Sequence, residues 1–222
     1  MLDIETVERL LSAALERGGD YADVFCERRL ATSFRLQSGQ IHESGLAIMQ
    51  GVGIRVIVGE SSGYAYSDDL SVEALERAAR IASLIARNHS SGQRTMRIAA
   101  ASVVPCYDTS RTAHAPSDVY VKLLERADIA ARGFASSISA VNANISDELQ
   151  DVWIGTSDGR WLHDRRPLIS LGVQVVSTEG RERGHGFVGD GGRTSTAFYD
   201  ERTPESIALE AARISTTNLR AL

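Results

Sequence analysis

The sequence predicts an α+β protein made of two related units of largely antiparallel sheet, each with helices packed on one face. Three observations predict it. Runs of apolar alternation with period two are joined by short turn signals, as antiparallel strands are. Apolar stripes of helical spacing flank those runs. A turn–strand–helix order also occurs twice at nearly equal offsets: Gly39 to Gly53 in one half, Gly159 to Gly172 in the other.

In chain order, Ile4, Val7, Leu10, Leu11, Ala14 and Leu15 predict a helix that Gly18-Gly19 stops. From Tyr21 to Leu36 the period becomes two, a strand carrying Val24, Cys26, Leu30, Thr32, Phe34 and Leu36. Ser38-Gly39-Gln40 is its turn, and a second strand is expected over 51–58, with Val52, Ile54, Val56 and Val58 alternating. Gly59 to Gly63 reads as a hairpin loop into Tyr64-Ala-Tyr66. Ser71 is then the expected N-cap of a helix whose buried stripe is Val72, Leu75, Ala78, Ala79, Ala82 and Ile85, with Leu70 stapling onto Leu75.

Ser90-Ser-Gly92 closes the first unit at 1–92, and 93–111 reads as an extended connector. The second unit, 112–222, opens with Pro116 in a first-turn position and a helix through Val119, Leu123, Ala127, Ala130 and Phe134. Strands are expected over 137–145, 149–156, 160–163 and 167–178, the last with Ile169, Leu171, Val173 and Val175 on one face. Thr203-Pro-Glu205 marks the start of a final helix carrying Ile207, Ala211 and Ile214. The chain stops at Leu222 without a glycine cap, which reads as a cut before the next element.

The 222 residues are 43% hydrophobic and 24% charged, an ordinary globular composition. A net charge of −5 argues against nucleic acid as the main partner. No run approaches the ~18–20 apolar residues of a membrane span, and the acidic, helical N-terminus is no signal peptide. Cys26 and Cys106 lie far apart, so a free core cysteine in a reducing cytoplasm is expected rather than a disulfide. The five histidines, at 42, 89, 114, 163 and 185, match no metal-ligand spacing. His163-Asp164 resembles a dyad, but neighbours on a strand point to opposite faces, and a surface turn is the plainer reading. Gly184 to Gly189 fits G-x-G-x-x-G formally. It neither ends a strand nor opens a helix, so nucleotide binding is not expected.

The remaining feature is Arg181-Glu-Arg-Gly-His-Gly-Phe-Val-Gly-Asp-Gly-Gly-Arg193, a long hairpin that reads as an insertion the first half lacks. Glycines permit close backbone approach, and arginine offers a planar fork to a carboxylate or carbonyl. Arg181, Arg183, His185, Gly191, Gly192 and Arg193 are therefore the candidate peptide contacts. The competing reading is a solvated turn.

Gly-Asp-Tyr-Ala-Asp-Val (19–24), the 51–58 strand and Asp-Asp-Leu-Ser-Val-Glu-Ala-Leu (68–75) resemble the N-terminal region of the TldD/PmbA family. Ser157-Asp-Gly-Arg160, Arg165-Arg-Pro167 and the 181–193 loop look more like its TldD branch. The resemblance implies the N-terminal, non-catalytic part of a cytoplasmic zinc metalloprotease acting on unfolded peptides. It also implies a homodimer or a heterodimer with a PmbA/TldE-like subunit. The zinc would sit on a His-Glu-x-x-x-His helix and a later cysteine beyond Leu222, so no cofactor and no catalytic residue is expected in this chain. The alternative is a free-standing peptide-binding or adaptor module.

Overall fold

A computed structural model describes residues 2–86, 97–101, 104 and 107–221. The first half runs α1 (Ile4–Ala14), β1 (Tyr21–Gln37), β2 (Gln40–Val58), β3 (Ser61–Ser67) and α2 (Val72–Ile85). After β4 (Ala99–Ala100) come α3 (Ser117–Arg132), β5 (Ile138–Thr156), β6 (Arg160–Glu179), β7 (Glu182–Gly192), α4 (Phe198–Glu201) and α5 (Pro204–Arg220). Among the described residues the strands form one seven-stranded sheet, ordered β3-β2-β1-β5-β6, with β7 and the short parallel β4 both on β6. The fold is α+β, and the long neighbours are antiparallel where their register is resolved.

The repeat is visible in this order. Each half reads helix, three strands, helix, with the one-turn α4 added before the last helix of the second, and the 51–58 and 170–177 stretches each lie between the first and third strands of their own half. Detail repeats as well. Tyr64, opposite Arg55, covers Gly53, and Phe187, opposite Gln174, covers Gly172. On the other face Gly63 meets the α2 backbone at Ala82, and Gly186 meets the α5 backbone at Ala211. An added Cβ would lie 2.0 Å from the Ala82 oxygen and 2.1 Å from the Ala211 oxygen. Only glycine lets the helix sit this close to the strand.

This overturns the expectation that the second half carries an insertion. β7 is the counterpart of β3, longer at 11 residues against 7. Other expectations also shift. β2 starts at Gln40, not Gly51, because Ser38 (φ 53°) and Gly39 (φ 76°) close a two-residue hairpin. The expected breaks at 145–149 and 163–167 are continuous strand. The connector contains β4, and residues 87–96, 102–103 and 105–106, with Cys106, lie outside the described residues. Ser71 makes no side-chain cap bond; its N–H donates to Asp69 Oδ1 at 2.9 Å. Thr203 does cap, its Oγ1 accepting from the Ser206 N–H. In α3 the buried stripe is Tyr120, Leu123, Leu124, Ala127 and Ala131, rotated from the expected one, and Phe134 is exposed.

By contacts the chain divides into two compact units, residues 1–29, 48–106 and 150–165 in one and 30–47, 107–149 and 166–222 in the other. The segments 1–92 and 112–222 thus each contribute to both. In the first unit α1 and α2 bury Leu10, Leu11, Leu75 and Ala79 against Val24, Cys26, Ile54, Val56 and Trp153. In the second, α3 and α5 bury Leu124, Ala127, Ile207 and Ala211 against Leu36, Val141, Ile145, Leu171 and Val173. Apolar burial of this kind supplies ~25 cal/mol per Å², which makes these faces the main source of stability.

Candidate functional site

Within the 181–193 segment, Glu182–Gly192 is a regular strand, with Arg181 in the Gly180 turn (φ 59°) before it and Arg193 just past its end. Alternation along β7 gives it two faces. Gly184 and Gly186 turn toward α5, where Ser215 Oγ donates to the Gly184 carbonyl at 2.9 Å. Arg183, His185 and Phe187 turn to the helix-free face and are exposed, Phe187 by 63%. Much of the glycine content is thereby explained by helix packing. The formal G-x-G-x-x-G lies wholly inside this strand.

The structure does not gather the candidate residues into one cluster. Arg181 is at the turn, and Arg183 and His185 follow it on the open face. Arg193 is ten residues beyond Arg183, about 33 Å along a strand rising ~3.3 Å per residue. There its guanidinium lies 5.4 Å from the centre of the Tyr107 ring. Gly191 stands opposite Ser170, and a Cβ on it would meet the Ile169 carbonyl at 2.1 Å. Gly192 sits against the Phe198 ring. Asp190 ties this end down: its carboxylate accepts from Arg202 at 2.8 Å, and its carbonyl accepts from the Tyr199 hydroxyl. Burial pushes the Tyr199 hydroxyl pKa up.

Beside Phe187 the open face carries a groove of about 480 Å³ lined by Arg35, Gln37, Asn142, Asn144, Gln174 and Phe187. These residues alternate with the core residues Leu36, Val141, Ala143, Val173 and Val175. Side-chain amides both donate and accept, so they can bind peptide groups of any sequence. The sequence did hold a signal for this row, polar residues at every outward position of otherwise apolar strands. It pointed to no one ligand.

Below the Arg193 end lies a second cluster the sequence reading passed over. Asp147 is fully buried and accepts from Arg111 through both guanidinium nitrogens and from the Tyr120 hydroxyl. Arg111 also donates to the Ala113 and Thr194 carbonyls at 3.1 and 3.3 Å, fixing the chain next to Arg193. Burial first, and then Asp147, raises the Tyr120 pKa. The signal was an acid at 147 in the inward series 141, 143, 145, 149, which demands a buried base.

His163 does not sit in a turn. It lies in β6, its Nε2 3.0 Å from Asp151 Oδ1 and its ring stacked 4.5 Å from Trp153. Asp151 also accepts from Arg165 at 2.8 Å. Cys26 is a buried free thiol, and burial raises its pKa. Among the described residues no three His, Cys, Asp or Glu side chains come together in a way that could hold a metal ion, and no helix is long and apolar enough to cross a membrane.

Residues 22–86 match a family model described as PmbA/TldA metallopeptidase domain 1, and residues 112–219 match its central domain. A metalloprotease TldD homolog of Buchnera aphidicola (subsp. Acyrthosiphon pisum) is 29% identical over 90% of this chain and 43% of its own length. Its Haemophilus influenzae counterpart is 28% identical over 100% of this chain and 47% of its own. The chain therefore spans about half the length of these curated relatives. Two solved structures share the fold. One is TldE from Thermococcus kodakarensis (TM-score 0.68, 17% identity, 94% of this chain and 46% of that one). The other is a Thermotoga maritima protein (TM-score 0.73, 15% identity, 96% and 47%).

Proposed function

The chain belongs to the PmbA/TldD metallopeptidase family, and on that premise we propose that it is the N-terminal, non-catalytic part of a cytoplasmic TldD-like zinc metalloprotease acting on unfolded peptides. The observation that carries the reading is a pairing of two facts. Family models for domain 1 and the central domain cover most of the chain, and the chain spans less than half the length of its curated metalloprotease relatives. The zinc site then falls to residues beyond Leu222, and this part supplies scaffold, subunit contact and a wall of the peptide path.

On this reading the helix-free face of β6 and β7 meets the substrate. Arg181, Arg183 and His185 offer donors at one end, and Gly191, Gly192 and Arg193 form the other. The amides of Asn142, Asn144 and Gln174 lie near Phe187 between them. A row of this kind suits an extended chain of unspecified sequence. The assembly is a dimer, either of this protein or with a PmbA/TldE-like subunit.

Two measurements test the proposal. The 222-residue chain, purified and dialysed, should hold no stoichiometric zinc and cleave no peptide, whereas the protein extended through a downstream His-Glu-x-x-x-His should do both; one tight zinc per short chain refutes it. In the extended protease, Arg183→Ala or Arg193→Ala should lower peptide turnover about tenfold, the worth of one charge-assisted hydrogen bond of ~1.5–3 kcal/mol. Unchanged turnover in both removes the segment from the peptide path.

A further inference from the structure

On the helix-free face of the first compact unit, Phe25, Met49, Tyr64 and Tyr66 surround a pocket of about 260 Å³. Alternation places the rings there. Val24, Cys26, Val52, Ile54 and Val56 turn inward to the core, so Phe25, Gly53 and the tyrosines of β3 turn outward. Tyr64 is 57% exposed, Tyr66 77% and Met49 49%, a concentration of apolar surface rather than scattered single residues. Gly51 and Gly53 line the pocket between them. Gly53 is required by packing, since an added Cβ would lie 2.5 Å from the Tyr64 hydroxyl oxygen. Gly51 is not. Its Cβ would meet only the Ser67 carbonyl, at an ordinary 3.4 Å, and its φ is outside the left-handed region. A glycine inside a strand without either cause marks a place kept open for an approaching group.

We propose that this pocket takes an aromatic side chain, supplied by one residue of the peptide substrate. This rests on the peptide-binding part of the proposed function and names the kind of residue bound. Charge beside the pocket is cancelled internally. Glu27, which also lines it, accepts from Arg29 at 3.1 Å and from the Gln150 amide at 3.0 Å, and Arg55, opposite Tyr64, donates to Asp23 at 2.8 Å. Neither a cation nor an anion is selected by such a site. Its size falls below the ~300–1,000 Å³ of small-molecule pockets and suits one bulky side chain. Aromatic rings pair with other rings offset or edge-on and with thioethers, so Phe25, Tyr64, Tyr66 and Met49 favour a ring over an aliphatic chain. The corresponding place in the second half, where Phe187 covers Gly172, is lined by amides instead and carries no such preference.

The test is binding of N-acetyl-phenylalaninamide to the chain, followed by backbone amide chemical shifts, with the serine and lysine counterparts beside it. The phenylalanine compound should move the signals of 25, 49–53 and 64–66 and bind at least about fivefold tighter than either counterpart. Tyr66→Ser, which removes an exposed wall, and Gly51→Val, which fills the open place, should each weaken it by a similar factor. Ile129→Lys, on an exposed residue of α3, should leave it unchanged. Circular dichroism confirms that each variant is folded, and if Gly51→Val is not, Tyr66→Ser alone decides. Binding no tighter than that of the serine compound, shifts spread over the surface, or undiminished affinity in Tyr66→Ser overturns the proposal. Tighter binding of the lysine compound also overturns it and assigns the rings to a cation. Unfolded peptides separate the pocket from the peptide path. A peptide bound equally with phenylalanine or serine at its centre overturns the pocket and leaves the path standing. The phenylalanine compound held in the pocket by a chain that binds no peptide supports the pocket and removes the path.

Discussion

Replacing Asp147 by alanine should be among the most damaging single changes in the second compact unit. The carboxylate is fully buried, takes two guanidinium bonds from Arg111 and one from Tyr120, and Arg111 itself is only 11% exposed. Removing one partner strands a charge away from water, which costs about 3–5 kcal/mol. A chain of this length loses ~2–4 °C of melting temperature per kcal/mol, so the midpoint should fall by about 6–20 °C. Arg111→Met should cost a similar amount, because it strands the carboxylate instead. The double variant Arg111→Met/Asp147→Leu, which leaves neither charge, should be more stable than either single variant. Thermal melts followed by circular dichroism measure all three. Amide exchange should also rise near 194 in Asp147→Ala, since Arg111 would no longer be held against the Thr194 carbonyl. If the single losses simply add in the double variant, the buried-pair reasoning is wrong.

Gly186→Ala places a Cβ 2.1 Å from the Ala211 oxygen, where ordinary contacts begin near 3.4 Å; urea titration should show a loss of about 1–3 kcal/mol or more. Gly63→Ala should do the same against Ala82, whereas Gly45→Ala, whose nearest neighbour is at 3.5 Å, should change little. Thr203→Ala removes the acceptor for the Ser206 N–H and should cost about 1 kcal/mol in the same assay. Arg9 above all, with Arg80 assisting, holds the Glu76 carboxyl below its ordinary 4.5. A lowered folded pKa means that the pair contributes fully above pH 4.5 and is lost as pH falls through the folded value. The stability gap between wild type and Glu76→Gln, below about 1 kcal/mol for so exposed a pair, should therefore close on acidification.

Elements governed by local chemistry were legible in the chain itself. The helices at α1, α2 and α5, the Thr203-Pro204 start and the period-two strands each follow from propensity, capping and alternation within a few residues. The repeat was legible for the same reason, since Gly53 and Gly172 recur at matching distances from Gly39 and Gly159. What the sequence hid are features that depend on partners distant in the chain. Ser146 to Glu148 reads as a turn until Arg111 and Tyr120 close on Asp147. The arginine-glycine segment reads as an insertion until α5 packs on Gly184 and Gly186. Residues 40–50 carry no clean alternation because neither face is buried, so only the hairpin pairing of β2 with β1 makes them a strand. Local pattern reports which face is apolar. Only tertiary contact decides which polar groups are buried in pairs, which glycines carry a helix, and which rings line a pocket.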